Sequence, residues 1–187
     1  MNALATKIEE RGAGGETALH IAAHETGGEN KALLLIKGGA QIDARNKFGQ
    51  TPLMIACQKK NHVAVFRLLK HGANPDAKDN FGWGPMHYAV HAGEPVIIGL
   101  LIQHGAKLNI MDEKGMTPLL MGVKSQNTMA VRMLLEADAL VNRRRWRMSS
   151  PTPLDLANTL ADGGCDMDDI IALLKRYGGK TTAELAR

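Results

Sequence analysis

The chain has 187 residues, a formal net charge of +4 and two cysteines. It contains no run of about 18 apolar residues, so the composition excludes a transmembrane helix, and two distant cysteines are too few for a disulfide framework. The charge is local, because the segment 143–147 carries four arginines and no acid, and the rest of the chain is neutral. We therefore expect a soluble protein of a reducing compartment with one strongly basic segment.

From residue 15 onward, one phrase recurs at an almost constant interval. It reads GETALHIAA, GQTPLMIAC, GWGPMHYAV, GMTPLLMGV and, more loosely, SPTPLDLAN, with its third residue at positions 17, 51, 84, 117 and 152. The steps between these positions are 34, 33, 33 and 35 residues. Such a period predicts a tandem array of small units, each stabilised by packing on its neighbours.

Each phrase predicts the start of a short helix. Threonine followed by proline stands at positions 51, 117 and 152, where the hydroxyl can cap the helix and the proline needs no backbone partner. The buried side of this first helix carries small residues such as Ala56 and Gly122, so we expect successive first helices to pack closely. A second helix in each unit ends at a glycine followed by alanine, as at Gly72 and Gly105.

The phrase resembles the T-P-L-H-x-A signature of the ankyrin repeat. The second half of each unit, such as NHVAVFRLLKHGANPD from Asn61, agrees with that family, and the resemblance extends over roughly residues 8–178. It implies an all-α repeat fold, namely an ankyrin-type solenoid of about five helix-turn-helix units with short β-hairpin fingers. We divide the chain into an N-terminal cap at 1–11, an array at 12–178 with repeats near 12–45, 46–78, 79–111, 112–144 and 145–178, and a C-terminal tail at 179–187.

Two positions depart from the repeated pattern. Gly84 replaces the capping threonine of the third unit, which costs little if glycine itself serves as the cap. Asp138 replaces the glycine that ends the second helix of the fourth unit, and aspartate enters the left-handed backbone region less easily than glycine. We therefore expect strain at the junction of the fourth and fifth units.

Ankyrin arrays are binding scaffolds, and the resemblance implies a concave binding surface formed by the fingers and the exposed side of each first helix. Five of the seven Phe, Trp and Tyr residues fall on or beside this surface, and such residues dominate interface hot spots. We expect contact to centre on the third repeat. The alternative is that Phe48 and Phe81 pack finger against finger and are structural. The predicted partner-binding residues are Phe48, Phe81, Trp83, Tyr88, His91, Met116, Met121, Lys124 and Trp146.

Three large apolar residues of the second helices are expected to face the core instead. Phe66 takes an apolar position of its helix, and Met129 and Met133 lie in the second helix of the fourth unit. Methionine more often fills irregular gaps in a core than it forms an adaptable binding face. We therefore leave these three residues out of the predicted surface.

The stretch from Asn142 to Thr152 is two residues longer than the corresponding stretches, and the extra residues lie in RRRWRMSSP. Arginines beside Trp146 suit an anionic partner, because guanidinium forks onto phosphate or carboxylate and the indole can stack on a base. The alternative function is therefore an adaptor for nucleic acid or acidic surfaces, without sequence specificity. A solvated loop with no partner is the other interpretation. The candidates for binding an anionic partner are Arg143, Arg144, Arg145 and Arg147.

Two histidine pairs, 20 with 24 and 87 with 91, have the four-residue spacing that can place two ring nitrogens on one metal. Neither pair has a third ligand nearby in sequence, and the family resemblance implies that His20 and His87 hydrogen-bond the hairpin backbone. No constellation of catalytic Ser, Cys or His is present, and Cys165 has no basic neighbour in sequence. We therefore predict no metal site, no cofactor and no enzymatic activity.

The favoured function is a non-enzymatic scaffold that binds a partner protein of unknown identity through its concave face and fingers. Nucleic acid is the less favoured partner, and no membrane is expected. We expect a monomer in the cytoplasm, with the nucleus or delivery into a host cell as alternative locations.

Overall fold

The computed structural model describes residues 10–25, 29–143 and 151–186, and the regular structure in these ranges is helical. Short helices follow one another in pairs, separated by turns. No helix in the described ranges is long and apolar enough to cross a membrane. The helices are α1 (Ala18–His24), α2 (Glu29–Lys37), α3 (Pro52–Gln58), α4 (His62–Lys70), α5 (Pro85–Ala92), α6 (Pro95–Gln103), α7 (Pro118–Lys124), α8 (Thr128–Glu136), α9 (Pro153–Asp162), α10 (Asp168–Arg176) and α11 (Thr182–Leu185).

The helices form two layers. The first helices of successive pairs (α1, α3, α5, α7 and α9) pack one on the next, and so do the second helices (α2, α4, α6, α8 and α10). The two members of each pair also pack on each other. This is an all-α repeat, as predicted, in which each pair is stabilised by its neighbours. The described residues include no β-strand, so the predicted β-hairpin strands are not confirmed.

Threonine caps begin three of the first helices, as predicted. The Oγ1 atoms of Thr51, Thr117 and Thr152 accept hydrogen bonds from the backbone N–H three residues later, at 3.4, 3.2 and 3.1 Å. A proline follows each of these threonines. In the third pair, the backbone N–H of Gly84 donates to Nδ1 of His87 at 3.1 Å. An imidazole therefore holds the start of α5 where no hydroxyl is present.

Small residues line the contact between successive first helices. Ala56, Ala89 and Val123 are fully buried there. At Gly122 an added Cβ would lie 3.7 Å from Cγ1 of Val90 in the preceding first helix, and 3.2 Å from Cγ2 of Val131 in α8, so a larger side chain would require Val131 to shift. The predicted close packing of first helices is therefore confirmed.

Left-handed backbone conformations follow the helices. Gly72 and Gly105 end their second helices with φ of 88° and 74°, and Asp138 takes the same place in the fourth pair with φ of 65°. The unfavourable conformation predicted for Asp138 is thus present. Lys60 and Gln126, with φ of 59° and 56°, adopt the same conformation after first helices, which the repeated phrase does not predict.

Tight turns between the pairs form the fingers. In the turns 46–50, 79–83 and 112–116, the backbone N–H of the first residue donates to the carbonyl oxygen of the fifth, at 3.0, 2.9 and 3.0 Å respectively. Single backbone hydrogen bonds join neighbouring fingers, from Asn80 to the carbonyl of Phe48 and from Glu113 to that of Phe81, both at 3.0 Å. The fingers are therefore held in register. They are the second finger at 46–50, the third at 79–83 and the fourth at 112–116.

The C-terminal helix α11 is attached to α9 through Asp155. Its Oδ2 accepts hydrogen bonds from the backbone N–H and the hydroxyl of Thr182, at 2.9 and 2.5 Å, and from the backbone N–H of Thr152 at 2.9 Å. Partial burial acts to raise the pKa of Asp155, and these hydrogen bonds act to lower it. The hydrogen bonds have the larger combined effect, so the pKa lies below its ordinary value of 3.8. The segment assigned as a tail is thus tied to the array.

Two of the residues assigned to the core are instead on the surface. Phe66 is 44% exposed, and the Lys70 ammonium lies 5.8 Å from the centroid of its ring. Met129 is also exposed, whereas Met133 packs against the core as predicted. The prediction was wrong for Phe66 and Met129 because α4 and α8 bury only one face, and other residues of each helix fill it.

Candidate binding groove

A groove of about 610 Å³ is lined by residues of the third and fourth fingers and of α5 and α7. Its volume lies within the range of ligand-binding pockets in proteins. The repeated units supply its two sides in the same way, each with one finger and one first helix. Seven of the residues selected from the sequence line the groove, namely Phe81, Trp83, Tyr88, His91, Met116, Met121 and Lys124.

Trp83 lines this groove and is half-buried. Its ring centroid lies 5.2 Å from that of Tyr88 and 5.5 Å from that of His91, with interplanar angles of 64° and 66°. These are edge-to-face contacts, the favourable arrangement of aromatic rings. The indole N–H also donates to Oδ2 of Asp112 at 3.2 Å. Trp83 is therefore held in one orientation before any partner arrives.

Tyr88 supports the groove more than it faces solvent, in contrast to its expected role as a contact anchor. Only 7% of the residue is exposed. Its hydroxyl donates to Oδ2 of Asp79 at 2.6 Å and accepts from Nε2 of Gln50 at 2.8 Å. Burial raises the pKa of Tyr88 well above its ordinary value, and the hydrogen bond to Asp79 raises it further. The observed role differs from the expected one because the Tyr88 hydroxyl lies against the second and third fingers, where it bonds to Gln50 and Asp79.

The carboxylates of Asp79 and Asp112 organise the fingers beneath the groove. Oδ1 of Asp79 accepts two backbone N–H groups of its own finger, both at 2.8 Å, and Oδ1 of Asp112 does the same at 2.8 and 2.7 Å. The two residues are only 6% and 5% exposed. Asn46 occupies the same place in the second finger with the same two bonds, at 3.0 and 2.9 Å. These side chains are structural acceptors.

Five residues of the groove were not selected from the sequence. Two of them, Asp79 and Asp112, could have been found, because with Asn46 they recur at intervals of 33 residues, each five positions before a helix N-cap. Glu113 and Lys114 belong to the fourth finger, and the resemblance implies that the fingers form part of the concave surface, whereas nothing in the local sequence marks Ser125. The five are Asp79, Asp112, Glu113, Lys114 and Ser125.

The structural role implied for two histidines is confirmed. Nδ1 of His20 accepts the backbone N–H of Thr17 at 3.1 Å, so Nε2 carries the proton and donates to the carbonyl of Gln50 at 2.9 Å. His87 bonds in the same way to the carbonyl of Met116 at 3.1 Å. Burial lowers the pKa of both imidazoles below 6.5, which keeps them neutral. In the described ranges, no three His, Cys, Asp or Glu side chains form a group that could hold a metal.

Two of the predicted aromatic contact residues, Phe48 and Phe81, are exposed on the fingers. Phe81 is 59% exposed at the edge of the groove, and Phe48 is 54% exposed on the second finger, outside the groove lining. This exposure does not favour the alternative in which the two rings are buried between fingers. Met121 is nearly buried in the groove, and Lys124 is exposed in the last turn of α7.

The basic segment is described only at its first residue. Arg143 is exposed, and its backbone N–H donates to the carbonyl of Leu140 at 3.1 Å. The other predicted residues of that segment, Arg144, Arg145, Trp146 and Arg147, lie outside the described residues.

Comparison with known proteins gives the family of the chain. The sequence model of the ankyrin repeat family, built from three copies of the repeat, matches residues 2–79 and 59–145, which together span most of the 187 residues. A search of curated proteins found no match. The family match agrees with the paired helices, the threonine caps and the fingers joined in register. This chain belongs to the ankyrin repeat family.

Proposed function

We propose that this protein is a non-enzymatic scaffold that binds a partner protein in the groove between the third and fourth fingers. Ankyrin repeats generally mediate protein–protein interaction, and the family is typically non-enzymatic. The observation that carries the proposal is Trp83, half-buried in the groove and held by contacts with the rings of His87, Tyr88 and His91 and by one hydrogen bond. Phe81 adds a largely exposed aromatic ring at the edge.

Preorganisation supports this assignment. A side chain already held in its binding orientation loses little conformational entropy when a partner binds. Trp is also among the residues most often found at interface hot spots, where truncation costs about 2 kcal/mol or more. Trp83 meets both conditions, and Met116 and Met121 provide adaptable apolar surface beside it.

Affinity capture from nuclease-treated source-cell lysate tests the proposal. We compare the wild-type chain with Phe81→Ala and Trp83→Ala, and we use Phe66→Ala as the matched control because Phe66 is exposed on α4 and does not line the groove. We expect a protein that the wild type and the Phe66 variant retain and that both groove variants lose. With the captured partner purified, Trp83→Ala should weaken binding by about 2 kcal/mol in calorimetry.

Thermal unfolding of each variant is the control for folding. If the groove variants fold normally and still retain every captured protein, the groove is not the binding site. If Phe66→Ala loses the partner as well, the effect is not specific to the groove.

The basic segment supports a second proposal, that the protein is an adaptor for nucleic acid or acidic surfaces. Its basis is the sequence, in which residues 143–147 carry the whole excess positive charge. Filter binding across salt concentrations tests it, and neutralising four phosphates would give a slope of log affinity against log salt of about −3.6 on duplex DNA. Absence of retention at low salt rules this function out.

The remaining predictions are part of the same proposal. We retain five repeats with the boundaries given above, a monomeric state, a cytoplasmic location and the absence of a cofactor. Sedimentation of the purified chain tests the oligomeric state directly.

A further inference from the structure

The charged side chains of the groove are segregated along its length. All three carboxylates of the lining lie on fingers, Asp79 on the third and Asp112 and Glu113 on the fourth. Lys124 lies in the last turn of α7, about 10 Å along the helix axis from the fourth finger. Lys114 is exposed on the fourth finger, and it already has an interaction within the chain. With three carboxylates and one lysine, the finger end of the groove is its negative end.

The three carboxylates differ in how they can act on an incoming group. Asp79 and Asp112 are almost completely buried, and each accepts two backbone N–H groups and one side-chain donor. They can attract a cation through their charge, because salt screens buried charges much less than exposed ones. Glu113 is exposed, so a partner can bond its carboxylate directly. A cationic side chain at this end would bond one carboxylate and be attracted by two more.

Two aromatic side chains lie at the same end of the groove. Phe81 and Trp83 both belong to the third finger, and both are partly accessible, since Phe81 is 59% exposed and Trp83 is half-buried. The backbone N–H of Glu113 donates to the carbonyl of Phe81 at 3.0 Å, and the indole N–H of Trp83 donates to Oδ2 of Asp112 at 3.2 Å. The aromatic residues and the carboxylates are therefore neighbours. Cations bind over the faces of such rings, and Trp binds them best.

We propose that the finger end of the groove binds an arginine side chain from a short segment of the partner protein. The guanidinium lies against the rings of Phe81 and Trp83 and donates to the carboxylate of Glu113. Arginine suits this combination better than lysine, because guanidinium is planar, stacks on aromatic rings, forks onto carboxylates and is more weakly hydrated than ammonium. The inference rests on the proposed function and adds the chemistry of the partner. Charge complementarity of this kind selects among partners.

Synthetic peptides test the inference before the partner is identified. Each rhodamine-labelled peptide contains one leucine in a Gly-Ser segment, and beside the leucine stands arginine, lysine or citrulline. Citrulline is the matched control, because it has the shape of arginine without its charge. Binding to the full-length chain is measured by fluorescence anisotropy. We expect the arginine peptide to bind about fivefold more tightly than its citrulline twin, as for an exposed ion pair at the upper end of its usual strength, and the lysine twin to bind with intermediate affinity.

Charge reversal in the protein provides the decisive comparison. Glu113→Lys should abolish the preference for arginine over citrulline, and Phe81→Leu, which keeps apolar bulk but removes the ring, should reduce it. Glu136→Lys is the matched control, since Glu136 is exposed at the end of α8 and makes the same change in net charge away from the groove. This control should keep the wild-type preference. Thermal unfolding verifies that each variant is folded.

Several outcomes would overturn the inference. They are binding of the citrulline peptide as tight as that of the arginine peptide, a preference unchanged by Glu113→Lys, a preference equally lost in Glu136→Lys, and no peptide binding at all. These outcomes are separate from failure of the proposed function. A partner that the Phe81→Ala and Trp83→Ala variants lose in lysate capture but Glu113→Lys retains would still place protein binding at the groove, with a different partner chemistry.

Discussion

Single residues beneath the groove hold in place the residues that line it. Oδ2 of Asp79 accepts the hydroxyl of Tyr88, and Oδ2 of Asp112 accepts the indole N–H of Trp83. Each carboxylate therefore ties its finger to an aromatic ring of the groove. Because these polar atoms are buried, removal of a partner leaves a desolvated group without its hydrogen bond, which costs more than the bond itself contributes.

The substitution Tyr88→Phe should show whether the Tyr88 hydroxyl stabilises the groove or contacts the partner. The ring that contacts Trp83 remains, but Oδ2 of Asp79 loses its donor, so we expect the free energy of unfolding to fall by about 1–2 kcal/mol while partner capture is kept. Urea denaturation measures the first effect and the lysate assay the second. Tyr177→Phe is the control, since the hydroxyl of Tyr177 makes no hydrogen bond within the described part of the chain. Lost capture by a stable Tyr88→Phe protein would instead make the hydroxyl a contact group.

Asp138→Gly should stabilise the protein. Asp138 has φ of 65°, where the preceding pair has Gly105 with φ of 74°. Relief of the left-handed strain, less the greater freedom of glycine in the unfolded chain, should raise the unfolding free energy by about 0.5–1 kcal/mol. Gly105→Asp is the reverse control and should destabilise, because nothing lies within 4 Å of a Cβ at that position and only the backbone conformation matters. Equal stability of all three proteins would show that Asp138 is unstrained.

At the scale of elements, basic side chains join neighbouring repeats. Nη1 of Arg11 donates to the carbonyl of Arg45 at 2.8 Å, Nη2 of Arg45 to the carbonyl of Lys78 at 2.5 Å, and Nζ of Lys78 to that of Met111 at 2.7 Å. The series runs along the bases of successive fingers at intervals of 34, 33 and 33 residues. It adds side-chain coupling to the single backbone bond between fingers.

Arg45→Met should weaken the coupling between the second and third pairs. Met111 occupies the equivalent position in the fourth unit, so methionine is compatible with the local fold. We expect a loss of about 1 kcal/mol in unfolding free energy, as for one hydrogen bond that is largely exposed. Lys37→Met is the control for loss of one exposed cation. If the two variants are equally stable in urea denaturation, the series contributes nothing measurable.

At the scale of the whole molecule, stability is a sum of contacts between neighbours. The first helices are seven to ten residues long, and isolated helices of that length are marginal in water. Buried His20 and His87 lie at two such contacts, since each bonds to a carbonyl of the following finger. Their protonation state therefore affects the stability of the array and not only one helix.

The folded array should lose stability in mildly acidic solution. Burial lowers the pKa of His20 and His87, so below the unfolded value of about 6.5 the unfolded chain binds protons that the folded chain does not. The stability that the two neutral, buried imidazoles contribute is complete above pH of about 6.5, and it is lost as the pH falls toward their lower pKa in the folded protein. We expect Tm to fall between about pH 7.5 and 5.

A variant identifies the source of this pH dependence. Leu120 takes the equivalent place in the fourth unit, so His87→Leu should lower Tm at neutral pH but make its decline with pH shallower. His62→Leu, at an exposed histidine, is the control. An unchanged slope in His87→Leu would assign the pH dependence to other groups.

The local features of the fold were predictable because each depends on a few adjacent residues. Threonine before proline predicted the caps of α3, α7 and α9, and small residues predicted the close packing of first helices. Asp138, in the place of a helix-ending glycine, predicted a left-handed backbone conformation at that residue. The exposure of Phe66 and Met129 was not predictable, because it depends on which face of each second helix meets its neighbours. The basic series from Arg11 to Lys78 was missed for the same reason, since its acceptors lie one repeat away.

The sequence by itself determined the family, the period of the array and most of the residues that line the groove. Only the tertiary structure decided the role of each. It placed the hydroxyl of Tyr88 on Asp79, buried the two carboxylates and left Phe81 exposed. The physical reason is that a repeated phrase specifies local helix starts and turns, whereas burial and hydrogen-bond partners arise between units that are 33 residues apart in the chain and adjacent in space.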